Sequence, residues 1–490
     1  MSRLRPEQVL SSPGILADAR RSAALLWLPL LAVALAAAGG MAAAVDPKIA
    51  IGGLAGLGLL VLAFRKPVAN LALLLFLTAV VPFQILNRFS VGGGINSPGL
   101  LVSDLFLLSG LAWATLTLPS LPLDRRRYVY AGGVAVFLVL VAVQFLHGLR
   151  AGSVHSEVGQ EGRVLLGVGT YLIALPLLAH VPSRRRLLGA LSVAAFLLGA
   201  WGMVQWFGHF SFGAAGDVGV RPGVRLTSGG SGQLQGGEFA FPVAMVICFA
   251  ALAFGSIRSK LWRALLAAAI ALNAASCLVT FERSFWLDAL AGVAFVLALG
   301  PSGRRLKVFA ALIAAAVLAL GTLSAISPTT LTTAHQRLIS IGSYTSDSSV
   351  RYRVVESGFV EDRINAHPLA GSGLGATIFW GQPWARVAPK VQHYSHDGYL
   401  WLAWKLGVPA AALLVLLLVG TLFGKIGRDE EPLSAALRRG AQGAIVGLLI
   451  ATVTFPSFSQ LSITSAIGLL LALAVSPVPR ERELAGGTAH

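Results

Sequence analysis

Apolar runs long enough to cross a bilayer recur along this chain of 490 residues, separated by short polar breaks. A bilayer core takes about 20 apolar residues per helix, and one soluble core has no room for so many such segments. The runs begin near residues 23, 49, 68, 100, 128, 164, 187, 237, 261, 285, 308, 398, 441 and 461. Several are short, so the layout reads as about 12–14 crossings, the lower figure with re-entrant pieces. Composition agrees: 12% of residues are charged, against about 25% in soluble domains. The expected fold class is an all-α polytopic membrane protein with one large extracytoplasmic loop that contains short amphipathic helices. The first run follows Arg20 and Arg21 and ends in small residues, as a signal peptide would. It is long enough to span and is read as a retained helix.

Charge orients the chain. With the N-terminus in the cytoplasm, alternate connections carry Arg65–Lys66, Arg125–Arg127, Arg184–Arg186, Arg258/Lys260/Arg263, Arg304/Arg305/Lys307 and Lys425/Arg428/Arg438/Arg439. The C-terminal tail adds Arg480 and Arg482. The opposite connections before residue 300 hold only Lys48, Arg88, Arg150, Arg163, Arg221, Arg225 and Arg283. That alternation is the positive-inside pattern. It divides the chain into a transmembrane bundle over 1–326, an extracytoplasmic loop over 327–397, and C-terminal helices with a tail over 398–490. In the loop, "RYRVVESGFVEDRINAHPLAG" reads as an amphipathic helix with Val354, Val355, Phe359 and Ile364 on one side, stopped near Pro368. The following "GSGLGATIFWGQPW" reads as an irregular aromatic cover on the membrane surface.

Four arginines on the extracytoplasmic side, Arg225, Arg283, Arg351 and Arg353, come from three separate connections. A guanidinium fork matches phosphate oxygens, so this set predicts an anionic group in the substrate. Arg283 lies in a very tight turn near membrane depth, where a charge needs a partner or a cavity. Its alternatives are a pair with Glu282 or snorkelling to the interface. His396 stands on the same side at the mouth of the last long run, suited to accept a hydroxyl proton. His393 is read as support. Asp397 either fixes the His396 tautomer or caps the helix that follows. Lys405 is read as lining a cavity or reaching the headgroups, and Asp104 and Asp288 as intramembrane anchors or partners of buried cations. No Walker A, HExxH, CxxC or GxSxG pattern occurs, and Cys248 and Cys277 have neither metal-ligand nor disulfide spacing. No metal, cofactor or nucleic acid is expected.

Three stretches carry a resemblance. Arg351 is followed by "HPLAGSGLGA", then comes "SHDGYLWLAWKLGVPAAALL", and upstream stands "ERSFWLDALAG". With the many-helix layout they resemble the O-antigen ligase / O-antigen polymerase family of bacterial envelope glycosyltransferases. Arg225, in "VRLTSGG", is similar to an arginine that the family places before a glycine-rich segment. Two departures stand out: Asp397 where the family has asparagine, and the order Arg283–Ser284 where it has serine–arginine. The resemblance implies a C-type transferase in the bacterial inner membrane, working at its periplasmic face. It would move a glycan from undecaprenyl pyrophosphate to a sugar hydroxyl on a glycan or glycolipid acceptor such as lipid A-core. The arginines would hold the pyrophosphate and His396 would serve as general base, without metal and with inversion. A ligase is favoured over a polymerase. A polyprenyl-glycolipid flippase or transporter is the alternative of a different class, kept open by Asp104, Asp288 and Lys405.

Overall fold

The computed structural model describes residues 47–81, 101–208, 219–221, 233–235, 240–301, 303–314, 328–339, 348–382, 387–427 and 429–477. The first apolar run and Arg225 lie outside the described residues. The chain is mostly helical. In order come α1 (Pro47–Arg65), α2 (Pro67–Val80), α3 (Val102–Thr117), α4 (Arg125–Arg150), α5 (His155–Leu166), α6 (Thr170–Ala179) and α7 (Val181–Gly208). Strands β1 (Gly219–Arg221) and β2 (Gln233–Gln235) pair antiparallel. Then follow α8 (Ala240–Phe254), α9 (Lys260–Val279), α10 (Arg283–Ala298), α11 (Pro328–Ile339) and α12 (Ser348–Ala366). An antiparallel hairpin, β3 (Ile378–Gln382) with β4 (Val387–Gln392), leads into α13 (Gly398–Leu406), α14 (Val408–Leu422), α15 (Pro432–Ala451) and α16 (Leu461–Val475).

The polar breaks are where helices start. Asp124 caps α4 by accepting from the Arg127 N–H at 2.8 Å, and Ser259 caps α9. Proline opens α2 and α15, where its missing N–H costs nothing. Five helical stretches, Val102–Ser120, Arg125–Arg150, His155–Ala179, Pro182–Gly208 and Lys260–Val279, are long and apolar enough to cross a membrane. Others, including α2, α8, α14 and α16, are shorter apolar helices. The 15 residues of α14 reach only about 22 Å at 1.5 Å each, less than the hydrocarbon core. It continues the path of α13 across a break at Gly407.

Inside the bundle, three ion pairs hold buried charges. Arg163 meets Asp104 at 2.8 Å and Arg438 meets Glu430 at 2.6 Å. Lys405 neither lines a cavity nor reaches headgroups. It is fully buried, 2.6 Å from Glu161 of α5, because a lysine this far from water needs a carboxylate beside it. Asp288 is fully buried, and neither carboxyl oxygen has a hydrogen-bond partner among the described residues.

Two readings of the loop are corrected. Of the four apolar residues read as one side of α12, Ile364 packs on the core and Val355 is half-buried, but Val354 and Phe359 are exposed, and the fully buried residues are Glu356 and Val360. The helix packs on the β3–β4 hairpin and on α13, so its inner stripe follows the spacing Tyr352, Glu356, Val360. The segment after Pro368 is irregular as far as residue 377, but it is docked on the helices and then runs into a strand. Residues 371–375 dock on the helix break, and 378–382 pair with 387–392.

Candidate active site

Two backbone devices place His396. Behind it, Asp397 caps α13, its Oδ1 accepting from the Tyr399 and Leu400 N–H groups at 2.8 and 3.0 Å. Burial raises its carboxyl above the usual aspartate range. Asp397 is therefore the cap of its two sequence alternatives, and the partner of His396 is another acid. Beneath the site, the segment 368–376 is threaded through the α13–α14 break. Ser372 N–H donates to Trp404 O at 2.8 Å, Gly373 N–H to Lys405 O at 3.2 Å, and Val408 N–H to Pro368 O at 2.8 Å. Gly407 has φ +84°, and a Cβ there would lie 2.2 Å from Leu369 O, so only glycine fits.

The acid that holds His396 is Glu356 of α12, fully buried. Glu356 Oε2 accepts from the His396 backbone N–H at 2.9 Å and lies 2.8 Å from His396 Nδ1. A carboxylate only accepts, so Nδ1 carries the hydrogen and Nε2 is left as the basic nitrogen. The other oxygen, Oε1, accepts from Gln392 Nε2, which also donates to Tyr394 O at 2.7 Å. Gln392 Oε1 in turn accepts from Trp380 Nε1 at 3.2 Å and Tyr352 OH at 3.4 Å. Burial, with the Glu356 charge adding to it, pushes the Tyr352 hydroxyl up to about 12, so it stays a donor. Tyr352 and Tyr394 set their rings edge-on to the imidazole at 5.6 and 5.4 Å. The His396 side chain keeps 24% of its surface open. The result is a histidine fixed in tautomer and orientation, with one basic nitrogen free for a proton.

Arg351 and Arg353 lie on the same helix as Glu356, in its first turns. Arg283 opens α10 after a turn in which the buried Phe281 adopts φ +52°, a strained conformation for an aromatic residue. It lies at the same end of the bundle as His396. Phe285 of α10 packs edge-on against Phe455 at 4.9 Å, and a Cβ on Gly398 would meet Phe455 O at 3.1 Å. His393 Nε2 stands 3.8 Å from Glu157 of α5, and its carbonyl accepts from Trp401 Nε1. Glu356 and Gln392 are what sequence reasoning missed. The available signal was a glutamate on the inner stripe of an amphipathic helix, four residues from Tyr352 and four from Val360.

Among the described residues no group of three His, Cys, Asp or Glu side chains could hold a metal ion. The family model described as O-Antigen ligase matches residues 268–415. Within that range fall Arg283, Arg351, Arg353, Glu356, His393, His396 and Asp397, and outside it falls Arg225. No curated protein matches the chain.

Proposed function

We propose that residues 268–415, which match the O-Antigen ligase family model in a chain whose described residues hold five helices long and apolar enough to cross a membrane, carry out a metal-independent, inverting transfer of a glycan from undecaprenyl pyrophosphate to a sugar hydroxyl of a glycolipid acceptor. The observation that carries the chemistry is the Glu356–His396 pair. His396 Nε2 takes the proton as the acceptor hydroxyl attacks the anomeric carbon, and Glu356 stabilises the imidazolium that forms. Arg283, Arg351 and Arg353 bind the pyrophosphate and stabilise the charge that develops as it leaves, with Arg225 assigned the same part from the sequence. The donor is already activated, so no nucleotide is needed. By the distribution of positive charge, the site opens on the extracytoplasmic face.

The test uses the full chain in nanodiscs, with an undecaprenyl-pyrophosphate-linked glycan, a lipid A-core acceptor and a chelator. Wild type is expected to transfer. His396→Ala and Glu356→Gln should each lose roughly 10²–10⁴-fold in kcat, the range of general-base assistance. Arg351→Ala should weaken donor binding as well. Full activity in His396→Ala would remove the base from the mechanism. A polymerase would use the same residues, and loss of attachment in cells with long polymer still built on its carrier distinguishes the ligase.

A further inference from the structure

A second charged cluster sits at the opposite end of the bundle, where α7 and α15 begin and α16 ends. Three arginines meet carbonyls at and just beyond the end of α16: Arg438 Nε donates to Ala474 O at 3.1 Å, Arg184 Nη2 reaches Ser476 O at 3.5 Å, and Arg127 Nη2 donates to Pro477 O at 2.9 Å. Guanidinium groups at a helix C-terminus suit its unpaired carbonyls and its dipole. The acids at this end are already engaged, Asp124 with Arg127 at 3.5 Å among them. Glu430 takes Arg438 at 2.6 Å and the Ser434 hydroxyl at 2.6 Å, and Glu431 lies 3.5 Å from Arg185. Glu431 and Glu430 act on Arg184 only through space, without a hydrogen bond to it. Arg184 is 1% exposed, and its Nε and Nη1 have no hydrogen-bond partner among the described residues. A buried guanidinium with two unmet donors carries a large desolvation cost unless an anion meets it.

Beside this cluster an apolar cavity of about 340 Å³ runs between α2, α7, α8, α9, α15 and α16. Arg185 and Leu433 line it at the arginine end, and Val80 and Ser462 at the other. Leu188, Val243 and Leu437 are among its walls. Charge therefore marks one end of a slot whose remainder suits hydrocarbon. We propose that it binds an anionic phospholipid, its phosphate on Arg184 and Arg185 and one acyl chain in the cavity. The positive-inside distribution assigns this end to the cytoplasmic leaflet, away from the transfer site.

Purified, delipidated full-length protein tests this through binding, so a failed transfer assay leaves it untouched. Phosphatidylglycerol should raise the unfolding temperature and stay bound at one per chain in native mass spectrometry, while phosphatidylcholine and inorganic phosphate do neither. Arg184→Gln should weaken phosphatidylglycerol retention by about tenfold, the scale of one charge-assisted hydrogen bond. Should that variant fail to fold, Ala244→Leu, which fills the cavity with all arginines in place, should reduce retention as well. Equal effects of the two phospholipids, an equal shift with inorganic phosphate, unchanged retention in Ala244→Leu, or displacement by undecaprenyl phosphate at lower concentration would each overturn the proposal.

Discussion

At the residue scale, two neighbouring groups divide work that the sequence left undivided. Asp397 adjoins His396, yet its oxygen is turned to the α13 N–H groups, while Glu356, 40 residues earlier, holds the imidazole. Adjacent side chains point apart at a helix start, so the orienting acid had to come from another element. Asp397 has its own consequence for stability. Burial raises its folded pKa above the unfolded value, so between the two the folded state binds more protons. Stability then falls as pH rises from about 4, the unfolded aspartate value, through the folded pKa. Asparagine caps as well and does not ionise. Asp397→Asn is therefore expected to gain on wild type in melting temperature as pH rises from 4 towards neutrality, with transfer retained. Asp397→Ala should lose about 0.5–2 kcal/mol for the missing cap. Parallel pH series of thermal melts for the three proteins check both, and curves for Asp397→Asn and wild type that stay parallel would contradict the raised pKa.

At the scale of elements, the hairpin that carries Gln392 depends on a contact far from the imidazole. The Glu161–Lys405 pair joins α5 to α13 and also grips the threaded segment: Gly375 N–H donates to Glu161 Oε2 at 2.6 Å and Lys405 Nζ to Ala376 O at 2.5 Å. One buried pair thus fixes two helices and the backbone just before β3. Removing one partner strands a buried charge, which costs about 3–5 kcal/mol, whereas replacing both with apolar residues is often neutral or stabilising. Lys405→Met alone and Glu161→Leu alone are expected to lower the melting temperature sharply. The double variant should recover most of the stability but not full transfer, since the hydrogen bonds to Gly375 and Ala376 are gone. A double variant no more stable than the singles would remove the argument. The sequence exposed both halves poorly. Lys405 announced itself as an intramembrane charge, but Glu161 lies in a polar-looking helix start, and nothing local pairs residues 244 apart. The stripe of α12 was misassigned for a related reason: Val354 and Phe359 are apolar yet outward, and the face that packs is chosen by the hairpin.

At the scale of the whole molecule, what was legible came from the solvent. A bilayer imposes length and apolarity on every crossing, so the sequence registers helices such as Arg125–Arg150 and Lys260–Val279 without any tertiary knowledge. Within a crossing that constraint is silent, which is why the break at Gly407 and the three buried ion pairs emerged only from the packing. Orientation rests on the placement of arginines and lysines, and the fold makes it directly measurable. Both native cysteines, Cys248 and Cys277, are buried, out of reach of an aqueous thiol reagent. A single introduced cysteine therefore reports alone. Leu369, on the docked loop, is 76% exposed, and Lys307 is exposed in the helix over residues 303–314 that follows α10. In intact spheroplasts, a membrane-impermeant maleimide is expected to label Leu369→Cys at once, and Lys307→Cys only after permeabilisation. The reverse pattern would put the Glu356–His396 pair in the cytoplasm, where a donor presented at the outer leaflet could not reach it.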